Sequence, residues 1–134
     1  MAAKKLILFV CEGNSIRSII AEAIFNEACK KNYFAKSAGT LPASVIHPDT
    51  KKVLKEIDIE LKKEKPSPLI FEDVDSAYRL VLLEKNTPNF PVMIPKDIII
   101  QWNIKDPLGG DIERFRKTRD EIFSAVGKLI KELE

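Results

Sequence analysis

Apolar residues along this chain fall into two alternating rhythms. Residues 6–10, LILFV, form an unbroken apolar run closed by a glycine-containing loop, the pattern of a parallel strand covered on both faces. From Ser18 to about Lys31 the spacing lengthens. Ile20, Ala21, Ile24, Phe25 and Ala28 recur at three and four residues with Glu22, Asn26 and Glu27 on the other side, which predicts a helix. Residues 33–37 read as a short second strand ending at Gly39. Pro48 and Asp49 open a second helix, to about residue 57, with Val53, Leu54 and Ile57 on one face. A short helix is predicted around "LIFEDVD". Residues 80–83 and 98–102 are further apolar runs, joined by the proline-punctuated "NTPNFPVMIP". After "DPLGG", Asp111 caps a long amphipathic helix with Ile112, Phe115, Ile122, Val126, Leu129 and Ile130 inward.

Strands alternating with helices predict an α/β fold: three layers, a four-stranded parallel sheet with helices on both faces. The chain has 134 residues and 45% hydrophobic content, the size of a single domain spanning 1–134. Twenty-two basic against twenty acidic residues leave a net charge of +2, which excludes nucleic acid and an anionic membrane as main partners. The amino terminus lacks both the apolar length and the cleavage pattern of a signal or a membrane span. Two cysteines without regular spacing build no disulfide framework and suit a reducing, cytoplasmic setting. No cluster of His, Cys and carboxylates has metal-ligand spacing, so no metal is implied, and the cysteine chemistry read below requires no cofactor.

In a parallel sheet, ligands bind beyond the carboxyl ends of the strands, and Cys11 stands at the end of the first. Glu12, Gly13, Asn14, Ser15 and Ile16 follow it, then Arg17, Ser18 and the helix. A chain curling there aims successive N–H groups inward ahead of a positive helix terminus, which makes an anion cradle. Gly13 permits a positive φ, and Asn14 is the next most tolerant residue. Arg17 adds a planar fork matched to two oxygens of a tetrahedral oxyanion, so the loop from Glu12 to Arg17 is expected to bind phosphate. The same field favours a thiolate at Cys11. A cysteine ending a core strand commonly serves only as a small hydrophobe. Here the glycine, the asparagine and the Arg-Ser pair at the helix start favour a nucleophile that attacks phosphorus.

"VCEGNSIRSIIAEAIF" resembles the low-molecular-weight protein tyrosine phosphatases and the thioredoxin-coupled arsenate reductases, which share one fold and the loop Cys-x-Gly-Asn-x-x-Arg-Ser. "SAGT" at residues 37–40, "HP" at 47–48, "WNIKDP" at 102–107 and "ERFRKTRDEI" in the last helix are similar too. The resemblance implies that Asp106 is the general acid, that Ser18 donates a hydrogen bond to the sulfur of Cys11, and that Asn14 holds the loop in shape. From the residues alone, Asp106 is either a carboxylate crossing the mouth of the sheet or a turn residue before Pro107.

The sequence departs from the family pattern in three places. Ser15 or Ile16 stands where many of the phosphatases carry a second loop cysteine. Leu108 and Gly109 replace the paired tyrosines that follow Asp-Pro in higher organisms. "LLEKNTPNFPVM" lacks the two further cysteines of the thioredoxin-coupled reductases. The other thiol, Cys29, lies about eleven residues along the first helix, roughly 16 Å away, too far to pair with Cys11 and best read as a packed thiol. His47 at a helix start and Trp102 at a strand end are read as structural. The expected activity is cysteine-dependent hydrolysis of phosphotyrosine or aryl phosphates, on a phosphorylated protein or small-molecule oxyanion. The alternative is arsenate reduction with an external thiol donor, towards which the "SAGT-LPASVIHP" and "WNIKDP" segments lean. A non-catalytic phosphate-binding module is a third reading, opposed by the retention of Cys11, Arg17, Ser18 and Asp106.

Overall fold

The computed structural model describes residues 3–84, 90 and 92–134, so part of the proline-punctuated connection lies outside the described residues. In chain order the elements are β1 (Lys5–Cys11), α1 (Arg17–Ala28), β2 (Tyr33–Gly39), α2 (Pro48–Lys55), α3 (Phe71–Ser76), β3 (Ala77–Leu82), β4 (Ile99–Gln101) and α4 (Ile112–Leu133). The four strands form one all-parallel sheet in the order β2-β1-β3-β4.

Every residue of β1 from Leu6 onward is buried because both faces of this central strand are covered. On one face Ile7, Phe9 and Cys11 pack with Ile20, Ile24 and Phe25 of α1, Val53 and Leu54 of α2, and Phe115, Ile122 and Val126 of α4. On the other, Leu8 and Val10 meet Leu69, Val74 of α3, Leu80 and Leu82. Phe9, Phe25 and Phe115 are wholly buried, each stabilising the fold by roughly 1.5–3 kcal/mol relative to exposure.

Several boundaries and faces differ from the sequence reading. Helix α1 stops at Ala28, three residues short of Lys31, because the backbone at Cys29 is extended. Ala28 is exposed, whereas Arg17, Ser18 and Ile19 are buried, since the start of α1 lies inside the molecule rather than along its surface. Asn26 does not face solvent freely: its amide donates to Ala35 O and accepts from Ala35 N, locking α1 to β2. Strand β3 begins three residues early at Ala77, and Ile98 closes a 3₁₀ turn instead of opening β4. Helix α2 ends at Lys55 rather than at residue 57. These differences concern ends, where local preferences are weak and tertiary contacts decide.

The chain leaves β1 towards β2 on one side and returns to β3 on the other. Their loops therefore diverge at the carboxyl end of β1 and open a crevice there, the switch point of a parallel sheet.

Candidate active site

Cys11 is the last residue of β1 and is 2% exposed. Its sulfur lies 2.9 Å from Ser18 Oγ and 3.3 Å from the N–H of Asn14. The Asn14 amide donates to Ser18 Oγ at 2.7 Å, which leaves the hydroxyl proton of Ser18 free to point at the sulfur. Two donors are thus aimed at one sulfur.

The loop owes its curl to Asn14, with φ of 48°, and not to Gly13, whose φ is ordinary. The left-handed bend expected at the glycine falls one residue later, on a residue that tolerates it and whose side chain holds it there. Asn14 Oδ1 accepts the N–H of Ser67 at 2.8 Å, so the bend is anchored to the segment beyond α2. Glycine is required instead at position 39. A Cβ there would stand 2.6 Å from Glu12 O and 3.1 Å from Asn14, because the end of β2 runs directly against the loop.

Ser15 and His47 tie the loop to α2. Ser15 Oγ donates to Val45 O and accepts from His47 N, each at 2.9 Å, and Thr50 Oγ1 donates to Ser15 O at 2.8 Å. His47 caps α2 by accepting the Asp49 N–H at its Nδ1, and its ring packs on Phe115. Its role is structural. Ile16 is buried and caps the start of α1 through its backbone.

Within the loop, the N–H groups of Gly13, Ser15, Ile16 and Arg17 have no protein acceptor among the described residues. They are the donors of the expected cradle. Glu12 and Asn14 are the exceptions, because the Glu12 N–H donates to Glu84 Oε1 at 2.9 Å and the Asn14 N–H to the sulfur of Cys11.

Arg17 is nearly buried and held at three points. Its Nη1 donates to Leu83 O at 2.7 Å and Ile104 O at 2.9 Å, and its Nη2 to Glu84 Oε1 at 2.6 Å. These bonds occupy both hydrogens of Nη1 and one of Nη2. Nε–H and the second Nη2 hydrogen remain as a side-on fork for an oxyanion.

Asp106 Oδ2 lies 3.6 Å from Arg17 Nη2, while Oδ1 accepts the N–H of Leu108 at 3.0 Å. The carboxylate is therefore both a turn cap and a group at the mouth of the cradle, with a side chain 47% exposed. Cys11, Gly13, Ser15, Ile16, Arg17 and Asp106 share one cavity of about 200 Å³, rimmed by Leu41, Ala43 and Leu108. That volume is below the range of pockets that enclose a drug-sized ligand. It accommodates an oxyanion and leaves the rest of a substrate against an aliphatic rim.

Cys29 lies at the far end of α1, its thiol near Lys31 O, and both cysteines are free thiols. Trp102 packs on Phe9 at 5.7 Å and belongs to the core, away from the cavity. Among the described residues no cluster of His, Cys, Asp or Glu is arranged to hold a metal ion, and no helix is long and apolar enough to cross a membrane.

Sequence reasoning missed Glu84 and Ser67. Glu84 follows an apolar strand and Ser67 sits between two prolines, so neither carries a local signal of a role in a loop more than fifty residues away. Only the parallel pairing of β1 with β3, and of Gly39 with Pro68, brings them to the site.

Known proteins are similar to this chain over nearly its whole length. Arsenate reductase 1 of Staphylococcus saprophyticus is 33% identical over 128 residues, covering 94% of this chain and 96% of its own length. A low-molecular-weight protein tyrosine phosphatase from T. tengcongensis superposes with a TM-score of 0.83 at 28% identity, over 96% of this chain and 99% of that one. The YwlE arginine phosphatase from Geobacillus stearothermophilus does so with a TM-score of 0.82 at 30% identity, over 96% and 92%. The profile of the low molecular weight phosphotyrosine protein phosphatases matches residues 6–134, so the cysteine cradle at the switch point of this sheet is that of a member: the chain belongs to the low-molecular-weight phosphotyrosine protein phosphatase family and is an enzyme.

Proposed function

We propose that this enzyme hydrolyses aryl phosphate monoesters, phosphotyrosine among them, through a phosphocysteine at Cys11. The observation that carries this reading is the sulfur of Cys11, held by two donors in one cavity with Arg17 and Asp106. The thiolate attacks phosphorus in line, forming the S–P bond as the P–O bond to the leaving group breaks. The N–H groups of Gly13, Ser15, Ile16 and Arg17, with the free edge of the guanidinium, hold the equatorial oxygens. Asp106 gives its proton to the departing oxygen and then takes one from the water that opens the S–P bond, which returns the thiolate and releases phosphate. Both thiols are free, and we place the enzyme in the cytoplasm on that ground.

Arsenate reduction is the second reading, favoured by the 33% identity to an arsenate reductase. In it Cys11 attacks arsenic with loss of water. A thiol donor outside the chain then attacks the sulfur of the adduct, so that a disulfide forms with Cys11 as the S–As bond breaks and arsenite leaves, and a second donor thiol frees Cys11. Both thiols come from outside because the sequence contains only one other cysteine, at the far end of α1.

The deciding experiment compares, on one preparation, turnover of an aryl phosphate, release of phosphate from phosphoarginine, and arsenate reduction with an added thiol donor. Aryl phosphate turnover is expected. An enzyme that leaves the aryl phosphate untouched while reducing arsenate with the donor follows the second reading. Phosphoarginine turnover alone moves the substrate class towards that of the arginine phosphatase relative.

A further inference from the structure

Beneath the cradle lies a charged cluster that the proposed reaction does not use. Lys63, in the segment between α2 and α3, donates from Nζ to Ser37 O at 3.0 Å and Ser37 Oγ at 3.2 Å. It lies 3.7 Å from Glu22 Oε1, and the two side chains are only 18% and 22% exposed. Ser37 Oγ in turn donates to Glu22.

This cluster faces the nucleophile. Ser37 pairs with Phe9, two residues before Cys11, and in a parallel ladder paired residues point to the same face. Two residues of strand rise and one strand spacing put its Cα roughly 8 Å from that of Cys11. Glu22 stands one helical turn after Ser18, whose hydroxyl touches the sulfur. Four residues beyond Lys63, Ser67 binds Asn14, the residue that bends the loop.

Glu12 flanks Cys11, and Glu60 and Lys62 share a cavity with Glu22 and Lys63; several of the other charges around these groups have partners of their own. On the Cys11 side, Arg17 is bound to Glu84 and lies near Asp106; on the Lys63 side, Asp73 of α3 is paired with Lys36 of β2. Glu22 has Lys63 as its cation. Burial pulls the Lys63 ammonium below the ordinary lysine range, and Glu22, with lesser contributions from Asp73 and Cys11, pulls it back.

We propose that Lys63 is a positioning residue for the reaction: its ammonium, fixed on Ser37, neutralises Glu22 beneath the cradle and so sustains the thiolate of Cys11. This rests on Cys11 being the nucleophile. Without the ammonium, the Glu22 carboxylate acts unopposed on the sulfur through a partly buried region. One uncompensated charge at about 8–10 Å then shifts a thiol by about one pH unit. Removing Glu22 instead leaves the ammonium unopposed and shifts the thiol the other way. A cluster that only braces β2 and α1 has no reason to give opposite signs.

The test is the pH dependence of Cys11 alkylation by iodoacetamide, in a Cys29→Ser background so that one thiol is read. Lys63→Met should raise the midpoint by about one unit, slowing alkylation about tenfold below it, and Glu22→Gln should lower it. Lys63→Arg should keep the parent midpoint, and the Lys63→Met/Glu22→Gln pair should return close to it. Midpoints that stay put, or that move in the same direction in both single variants, overturn the proposal. A Cys11→Ser variant that keeps the parent turnover overturns the nucleophile reading itself, and this inference with it. Alkylation needs no substrate, so the choice between phosphate and arsenate does not enter.

Discussion

The sulfur of Cys11 receives the Asn14 N–H and faces the Ser18 hydroxyl, and this arrangement fixes what substitution there should do. Cys11→Ser should reduce turnover to background while phosphate still binds, because this field does not ionise a hydroxyl at neutral pH. Rate assays beside phosphate titration check it. Arg17 is anchored through Nη1 and one hydrogen of Nη2, which a lysine cannot reproduce while also presenting two parallel donors. Arg17→Lys is therefore expected to lose about 10²–10³-fold in rate, the scale of one oxyanion-stabilising group. For Asp106→Asn the expected loss is about 10²–10⁴-fold with a poor leaving group and much less with a good one, read from a series of aryl phosphates. A loss uniform across the series makes Asp106 a turn residue, the role its bond from Leu108 N already gives it.

Elements place these residues, and the end of β2 runs directly against the cradle. Gly39→Ala puts a methyl group 2.6 Å from Glu12 O, where only backbone can yield. We expect it to cost roughly 1–3 kcal/mol and to reduce activity at the same time, as measured by denaturant unfolding and turnover of one sample. On the far side of α1, α2 is bound to α4 through Glu56, which accepts from both Arg116 and Arg119. Hydrogen bonding from Arg116 is the main cause that holds the Glu56 carboxyl below the ordinary carboxylate range. Its folded-state pKa is depressed, so its contribution to stability is present above the unfolded value and lost as the pH falls through the folded one. Glu56→Gln should thus be less stable than the parent at neutral pH, the difference closing as the solution is acidified below the carboxylate range. Thermal unfolding across pH measures it.

For the molecule as a whole, the cradle joins the ends of β1 and β2 to α1, α2 and the segment beyond it, so an oxyanion in it bridges both halves of the fold. Phosphate or arsenate should raise the unfolding temperature, with a stabilisation of about 2.7 kcal/mol at a hundredfold excess over its dissociation constant, and Arg17→Lys should blunt the effect. Thermal scans over a phosphate series test this.

The sequence by itself determined the order of strands and helices, the place of Cys11 at the end of β1, and the makeup of the loop through Arg17 and Ser18. These are local: strand and helix periods lie within a few residues, and Cys11, Asn14, Arg17 and Ser18 meet inside one strand-loop-helix turn. Only the tertiary structure decided that Asn14 carries the bend, that Gly39 makes room for the loop, that Glu84 holds both Arg17 and the Glu12 N–H, and that Lys63 meets Glu22 and Ser37. Apart from the bend at Asn14, each depends on residues far apart in the chain, brought together by parallel pairing and by the segment at 63–69. Glu84, Lys63 and Gly39 look ordinary in their own stretches of sequence; the chemistry of each comes from the neighbour that the sheet supplies.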